Sequence, residues 1–137
     1  EEAARKRLEA LAEWAERAQA VYESMQLAHE QLKTQVTSAL GALESAQVEA
    51  SGPSKALNDS LNAGQDAIER GVGHLEALKG ADEPDQAEQH FKGLEDGLGA
   101  MQALHEANGS HVEAAEAAIE ALAQVQRWTA CGQQRYR

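Results

Sequence analysis

The chain has 137 residues, a formal net charge of −11, two prolines and only 4% aromatic residues. Alanine is the most frequent residue, with Glu, Leu and Gln next, and these residues lose little rotamer freedom in a helix, so the composition predicts a soluble, all-α protein of one domain. The acidic charge disfavours nucleic-acid partners and anionic membrane surfaces, and no run of 18 apolar residues is present to insert into a membrane.

The first predicted helix is long, from about residue 2 to residue 50. Between Ala4 and Ala50 there is no proline, and apolar residues recur at alternating steps of four and three through seven heptads. A spacing that averages 3.5 residues keeps one stripe facing a partner helix, as in left-handed coiled coils. At 1.5 Å per residue, this coiled-coil-like helix would be about 70 Å long.

Three further helices are predicted, each about half as long as the first, over about residues 54–79, 84–107 and 110–132. Gly and Pro in Ser51–Ser54 separate the first two helices, Gly80–Pro84 forms the next break, and Asn108–Ser110 forms the last. Short connections make consecutive helices antiparallel neighbours. The sequence therefore predicts an up-down-up-down four-helix bundle with an extended first helix.

Gly64 and Gly71 occupy positions of the second helix's apolar stripe where large residues would normally pack. Each weakens a helix by roughly 1 kcal/mol relative to Ala. Because a glycine has no side chain, we expect a neighbouring helix to approach closely at both positions.

The difference in helix length predicts a surface without a cover. A bundle of residues 20–137 uses only the C-terminal part of the first helix, so residues 1–19 protrude with their apolar stripe. The stripe consists of Leu8, Leu11, Trp14, Ala15 and Ala18. Burying one Leu stabilises by roughly 2 kcal/mol, so a second copy or another helical protein is the expected partner. The alternatives are a kink near Gly41 or His29, or fraying of the terminus.

Four residues with metal-ligating side chains fall at one height of the predicted bundle, about 30 to 33 Å from the Ser51 turn. They are His29, His74, His90 and Cys131. Three imidazoles and a thiolate would suit Zn²⁺ or another borderline metal. Only His29 lies on the apolar seam of its helix, so a chance layer of flanking side chains is the competing interpretation.

Two family resemblances concern the same bundle. The tail Gln133–Arg137, together with Met25, resembles the four-helix cytochrome b562 family, which would imply a haem between Met25 and the last helix, although Gln133 stands where the family has its histidine. The segments around Trp14 and Trp128 look similar to the tryptophan-bearing helices of spectrin repeats, which have three helices. Neither resemblance identifies the family of this chain.

No pattern in the sequence predicts catalysis. Nucleophile elbows, P-loops and the Glu-x-x-His pairs of di-iron bundles are missing. The leading hypothesis is a non-enzymatic interaction or assembly module that acts through its first helix, and the alternative is a zinc- or haem-binding bundle. The N-terminal residues are too polar for a signal peptide, and the single Cys131 excludes an internal disulfide, so the compartment stays undecided.

Overall fold

The computed structural model describes the backbone of residues 1–135 and the side chains of residues 1–132. Within these residues the chain forms three helices, α1 (Glu2–Ser45), α2 (Ser51–Lys79) and α3 (Pro84–Arg135). No strand occurs among them, so the all-α prediction is confirmed. None of the helices in this part of the chain has an apolar stretch that could span a bilayer.

The predicted fourth helix is wrong, because Asn108–Ser110 does not interrupt α3. Asn108 is fully buried, and its Nδ2 donates a hydrogen bond to Oε1 of Gln35 on α1 at 3.3 Å. One Gly costs a helix only about 1 kcal/mol relative to Ala. The buried side chains of Met101 and Ala115 hold α3 against the bundle on both sides of this segment, so packing outweighs that cost.

The first turn of the bundle is tighter than predicted, since α1 ends at Ser45 and not near residue 50. Gln47 adopts a left-handed backbone conformation with φ 56°, and the Val48 N–H donates to the Leu43 carbonyl at 2.9 Å. Both features close a helix C-terminus. Pro53 lies inside the first turn of α2, where it has no intrahelical hydrogen bond to lose.

Contacts at the α2 glycines show that α2 runs antiparallel to α1. A Cβ atom added at Gly64 would lie 3.0 Å from Nδ1 of His29, and one added at Gly71 would lie 3.0 Å from Cε of Met25. From Gly64 to Gly71 the residue numbers along α2 rise, while those of the α1 residues in contact fall from His29 to Met25, so the two helices run in opposite directions. The expected close approach at both glycines is thus confirmed.

Helix α3 runs parallel to α1, because Gly97 faces Met25 near the start of α3 and Asn108 contacts Gln35 further along. Each pair of helices is in contact, so the chain forms an up-down-up bundle. Its core consists of apolar side chains that recur every three or four residues on each of the three helices. The largest fully buried apolar side chains are Met25, Leu32, Val36, Leu57, Leu78, Leu94 and Met101.

The N-terminal part of α1 belongs to this bundle, which corrects the predicted boundary between residues 19 and 20. Nζ of Lys79 donates to Oε1 of Gln19 at 3.1 Å, and Nη1 of Arg7 lies 3.6 Å from Oε1 of Glu83. The turn between α2 and α3 therefore lies beside the first turns of α1. Residues 1–19 find neighbours because α3 starts at this end and continues through the whole bundle.

Candidate functional site

The stripe predicted to bind a partner is largely used within the chain. Four of its five residues pack in or against the core: Leu11, Trp14, Ala15 and Ala18. The rings of Trp14 and Phe91 have centroids 5.1 Å apart, and the guanidinium carbon of Arg17 lies 4.5 Å from the Trp14 centroid and 4.7 Å from that of Phe91. Leu8, which is 66% exposed, is the one stripe residue that remains outside.

The opposite end of the bundle carries a helical segment most of whose described residues are exposed. Ile119 is the last described residue of α3 that packs against the core, and α3 continues to Arg135. We call residues 120–135 the α3 extension, which is about 24 Å long at 1.5 Å per residue. Every residue from Gln124 to Cys131 is exposed. The bundle thus ends before its third helix does.

The α3 extension presents large apolar side chains to solvent. Val125 is 59% exposed and Trp128 is 79% exposed, while Leu122, one turn earlier, is half-buried. Steps of three residues place these side chains along one side of the helix. Scattered apolar residues are common on protein surfaces, but a tryptophan and a valine on adjacent turns of an unpacked helix form a patch that a partner can cover.

The extension differs in charge from the rest of the molecule. Residues 121–137 contain three Arg and no Asp or Glu, so residues 1–120 alone carry a net charge of −14. Arg127 makes one contact within its own helix, from Nη2 to Oε1 of Glu120 at 2.9 Å, and both side chains are exposed. An exposed pair of this kind contributes about 0 to 1 kcal/mol, so Arg127 can exchange it for another carboxylate.

A groove between α1 and α3 begins where the extension begins. Its volume is about 630 Å³, and its lining reaches from Thr34 to Ile119. Ala39 and Ala115 are buried in it, and the exposed Glu113 and Glu116 line it as well. Among the described residues that line it, none is Lys or Arg. The interior of the groove is therefore lined by small residues, and its α3 side is acidic.

The four residues of the predicted metal layer do not meet at one level. His29 is buried beside Gly64, which is about 15 Å along α2 from His74, and Cys131 is exposed in the α3 extension. The layer depended on a fourth helix that would have turned Cys131 back toward His90. Within the described residues, no group of three or more His, Cys, Asp or Glu side chains is placed to hold a metal ion.

His74 and His90 do come together, across α2 and α3. Their Nδ1 atoms are 3.4 Å apart, and their ring centroids are 5.6 Å apart. Because the centroid separation exceeds the Nδ1 separation by more than 2 Å, the two rings point their Nδ1 atoms at each other. This is the arrangement of a long N–H···N hydrogen bond, in which one ring donates and the other accepts. Gly93 makes room for it, since an added Cβ atom would lie 2.7 Å from the His74 ring.

Met25, the methionine of the haem hypothesis, is fully enclosed by the core. Its Cε would lie 3.0 Å from a Cβ atom at Gly71 and 2.8 Å from one at Gly97. The thioether thus fills the space that the two glycines leave, as an unbranched and flexible side chain can. Gln133, the other residue of that hypothesis, lies outside the residues whose side chains are described.

Val125 and Trp128 were not predicted as surface residues, because the sequence pattern indicates a fourth bundle helix at these positions. Two signals in the sequence could have identified them. Asn108–Ser110 contains no proline and so is a weaker break than the first two, and acidic residues end at Glu120 while the apolar pattern continues. Together these features indicate one long helix whose last turns have a different environment.

Comparisons with protein-family models, with curated proteins and with solved structures found no match to this chain.

Proposed function

We propose that the protein is a non-enzymatic assembly module and that its contact element is the α3 extension, which binds a helical partner. The observation that carries this proposal is the exposure of Val125 and Trp128 on a helix that continues past its own bundle. Covering a valine contributes about 1.5 to 3 kcal/mol, and a tryptophan buries about 150 to 250 Å². The proposed contact surface thus lies on the third helix, whereas the sequence had suggested the first.

The chemistry of the extension favours a helix as the partner. Its backbone N–H groups are bonded within α3, so its contacts are made by side chains, and a neighbour must match anchors that lie three residues apart. A lone helix of this length is only marginally stable in water, because most helical stability comes from packing. A partner helix laid along Leu122, Val125 and Trp128 would supply that packing.

A metal-binding function has less support. Structural zinc sites use four protein ligands and catalytic zinc sites use three, whereas only His74 and His90 meet here among the described residues. Their Nδ1 atoms point at each other, so they are better described as a polar tie between α2 and α3.

Site-specific photocrosslinking in the cells that produce the protein tests the proposal. A benzoylphenylalanine at position 128 is expected to give discrete protein adducts, and one at position 65, where Gln65 is exposed on α2, is the matched control. Adding Val125→Glu to the position-128 variant should remove the adducts, because it places a charge in the apolar stripe while the crosslinker stays in place. Adducts that are absent, or that persist with Val125→Glu, would contradict the proposal.

A further inference from the structure

We infer that a long groove between α1 and α3 binds a basic amphipathic helix of a partner protein. The bound helix takes the fourth position of a four-helix bundle whose other members are the three helices of this chain. The groove follows the body of the bundle and ends at Ile119, before the α3 extension begins. The inference is therefore independent of the proposed function, and it adds a second contact surface and the chemistry of its partner.

The groove beside the start of the α3 extension is one part of this longer groove. It shares Thr34 and Gln35 with a second cavity of about 510 Å³. The second cavity shares Gln31 and His105 with a third, of about 630 Å³. The described residues that line all three belong to α1 and α3. The three cavities thus form one long α1–α3 groove, which follows residues 24–42 of α1 for about 27 Å.

The lining residues of the long α1–α3 groove recur at alternating steps of four and three on both helices. The row on α1 consists of Ser24, Ala28, Gln31, Gln35, Ser38 and Ala42. A matching row on α3 runs from Leu98 to Ile119. This spacing keeps each row straight along its helix, and two parallel rows form the kind of surface on which another helix packs in coiled coils. Four of the six α1 side chains are Ser or Ala, so that helix can approach α1 closely.

Apolar residues line both ends of the long groove, with polar residues between them. At one end Leu27, which is 62% exposed, lines the groove together with Ala28 and Leu98. At the other end the lining includes Ala39 and Val112. The two ends are about 17 Å apart along α1 and about 21 Å apart along α3. A partner helix therefore needs large apolar side chains about 11 to 14 residues apart on one face.

The charge of the long groove selects a basic partner. Its lining includes four exposed carboxylates, those of Glu30, Glu106, Glu113 and Glu116, and none of its described lining residues is Lys or Arg. None of the four makes an ion pair with another described residue. The cavity between α2 and α3, in contrast, is lined by both Arg70 and Asp96. Complementary charges orient a partner, so we expect Lys or Arg on both sides of its apolar face.

Binding of a designed peptide tests the inference. The probe is a labelled peptide of about 22 residues, with leucines at steps of four and three on one face, a glutamine at the middle of that face and lysines on both sides of it. We expect fluorescence anisotropy to give a dissociation constant of about 10 μM or lower with the full chain, rising at about 0.5 M salt. Two control peptides should bind at least about tenfold more weakly. One has glutamate in place of lysine, and the other has the same residues in scrambled order.

Matched variants of the chain locate the surface that binds the peptide. Glu113→Lys combined with Glu116→Lys, and separately Leu27→Glu, should each raise the dissociation constant at least about tenfold. The control is Asp66→Lys combined with Glu69→Lys, which makes the same change of net charge on α2, outside the groove, and should raise it less than about threefold. All five altered side chains are exposed, so the variants should keep the circular dichroism spectrum of the wild type.

Three results would overturn the inference. The first is a lysine peptide that binds no more tightly than its scrambled or glutamate counterpart. The second is a control double variant that weakens binding as much as the groove variants, because binding would then follow net charge. The third is binding that appears only with Val125→Glu, which would make the α3 extension the occupant of the groove. Loss of peptide binding with intact position-128 adducts would leave the proposed function standing.

Discussion

Met25 offers the sharpest test of how the three helices are held together. It is fully buried, and its Cε occupies the space between Gly71 of α2 and Gly97 of α3. A Cβ atom at Gly97 would lie 2.8 Å from that carbon, closer than Cβ atoms lie to their neighbours in folded proteins. Helix α1 therefore contacts both of its neighbours at one level only because neither presents a side chain there.

Substituting Ala at two glycines of α3, two residues apart, separates this packing from helix propensity. Ala is favoured over Gly inside a helix by about 1 kcal/mol. Gly99 is exposed, and no described atom lies within 4 Å of an added Cβ, so Gly99→Ala should raise the free energy of unfolding by that amount. Gly97→Ala gains the same propensity but overfills the core, which costs about 1 to 3 kcal/mol. Its net effect should lie between no change and a loss of about 2 kcal/mol.

Urea denaturation followed by far-UV circular dichroism measures both variants. All samples should be compared at one protein concentration, since self-association raises apparent stability. Shortening the opposing side chain with Met25→Val should reduce the penalty of Gly97→Ala, which gives a coupling energy of about 1 kcal/mol in a double-mutant cycle. A stabilisation by Gly97→Ala equal to that of Gly99→Ala would refute the assignment of Gly97 as the receptacle for Met25.

Other expectations follow from single contacts. Trp14→Ala should lower the free energy of unfolding by about 3 kcal/mol, because Trp14 packs against the core. Trp128→Ala should change the free energy of unfolding of the monomer by less than about 0.5 kcal/mol, because Trp128 is exposed. Urea titrations of dilute protein measure both values. Asn108→Ala should change the free energy of unfolding by less than about 1 kcal/mol, because relief of the buried Oδ1, which has no partner in the described part of the chain, offsets the lost hydrogen bond to Gln35; a calorimetric loss of more than about 2 kcal/mol would contradict this. The hydrogen bond and charge of Asp59 raise the pKa of Lys55, so Asp59→Asn should lower that pKa in an NMR titration, and an unchanged value would refute this cause.

Local patterns in the sequence predicted the helices and the close contacts well. The heptad spacing predicted α1 as one long helix but left a kink near His29 or Gly41 open, and the structure has a continuous helix from Glu2 to Ser45. The apolar stripe of α2 identified Gly64 and Gly71 as contact points. These features depend on the spacing of residues a few positions apart, which can be determined from the sequence alone. Gly97 also contacts Met25, but it lies one position off the strict heptad stripe of α3. Its contact with α1 is therefore visible only in the structure, from the position of the Met25 side chain.

The end of a helix depends on more distant partners, and for this reason the topology was predicted wrongly. Asn, Gly and Ser are typical of turns, but each is tolerated within a helix whose flanking residues are packed. Asn108 is buried against α1, where Gln35, 73 positions earlier, accepts its hydrogen bond, and Met101 and Ala115 pack in the core on either side of it. No local pattern contains that information. The His74 and His90 contact was predicted only as part of a layer that this continuation of α3 prevents.

The predicted break at Asn108–Ser110 also determined which end of the bundle was expected to lack a neighbour. The predicted bundle left the first 19 residues of α1 without a neighbour. In the structure Phe91, near the start of α3, packs against Trp14, and Ile119 is the last described residue of α3 that packs against the core. Apolar periodicity cannot distinguish the two ends, since both carry Leu and Trp at helical spacing. Charge can, because residues 1–19 mix both signs whereas residues 121–137 contain only basic ones in an acidic protein. The end of the chain that is both basic and apolar is therefore distinguished by its charge and not by the spacing of its apolar residues.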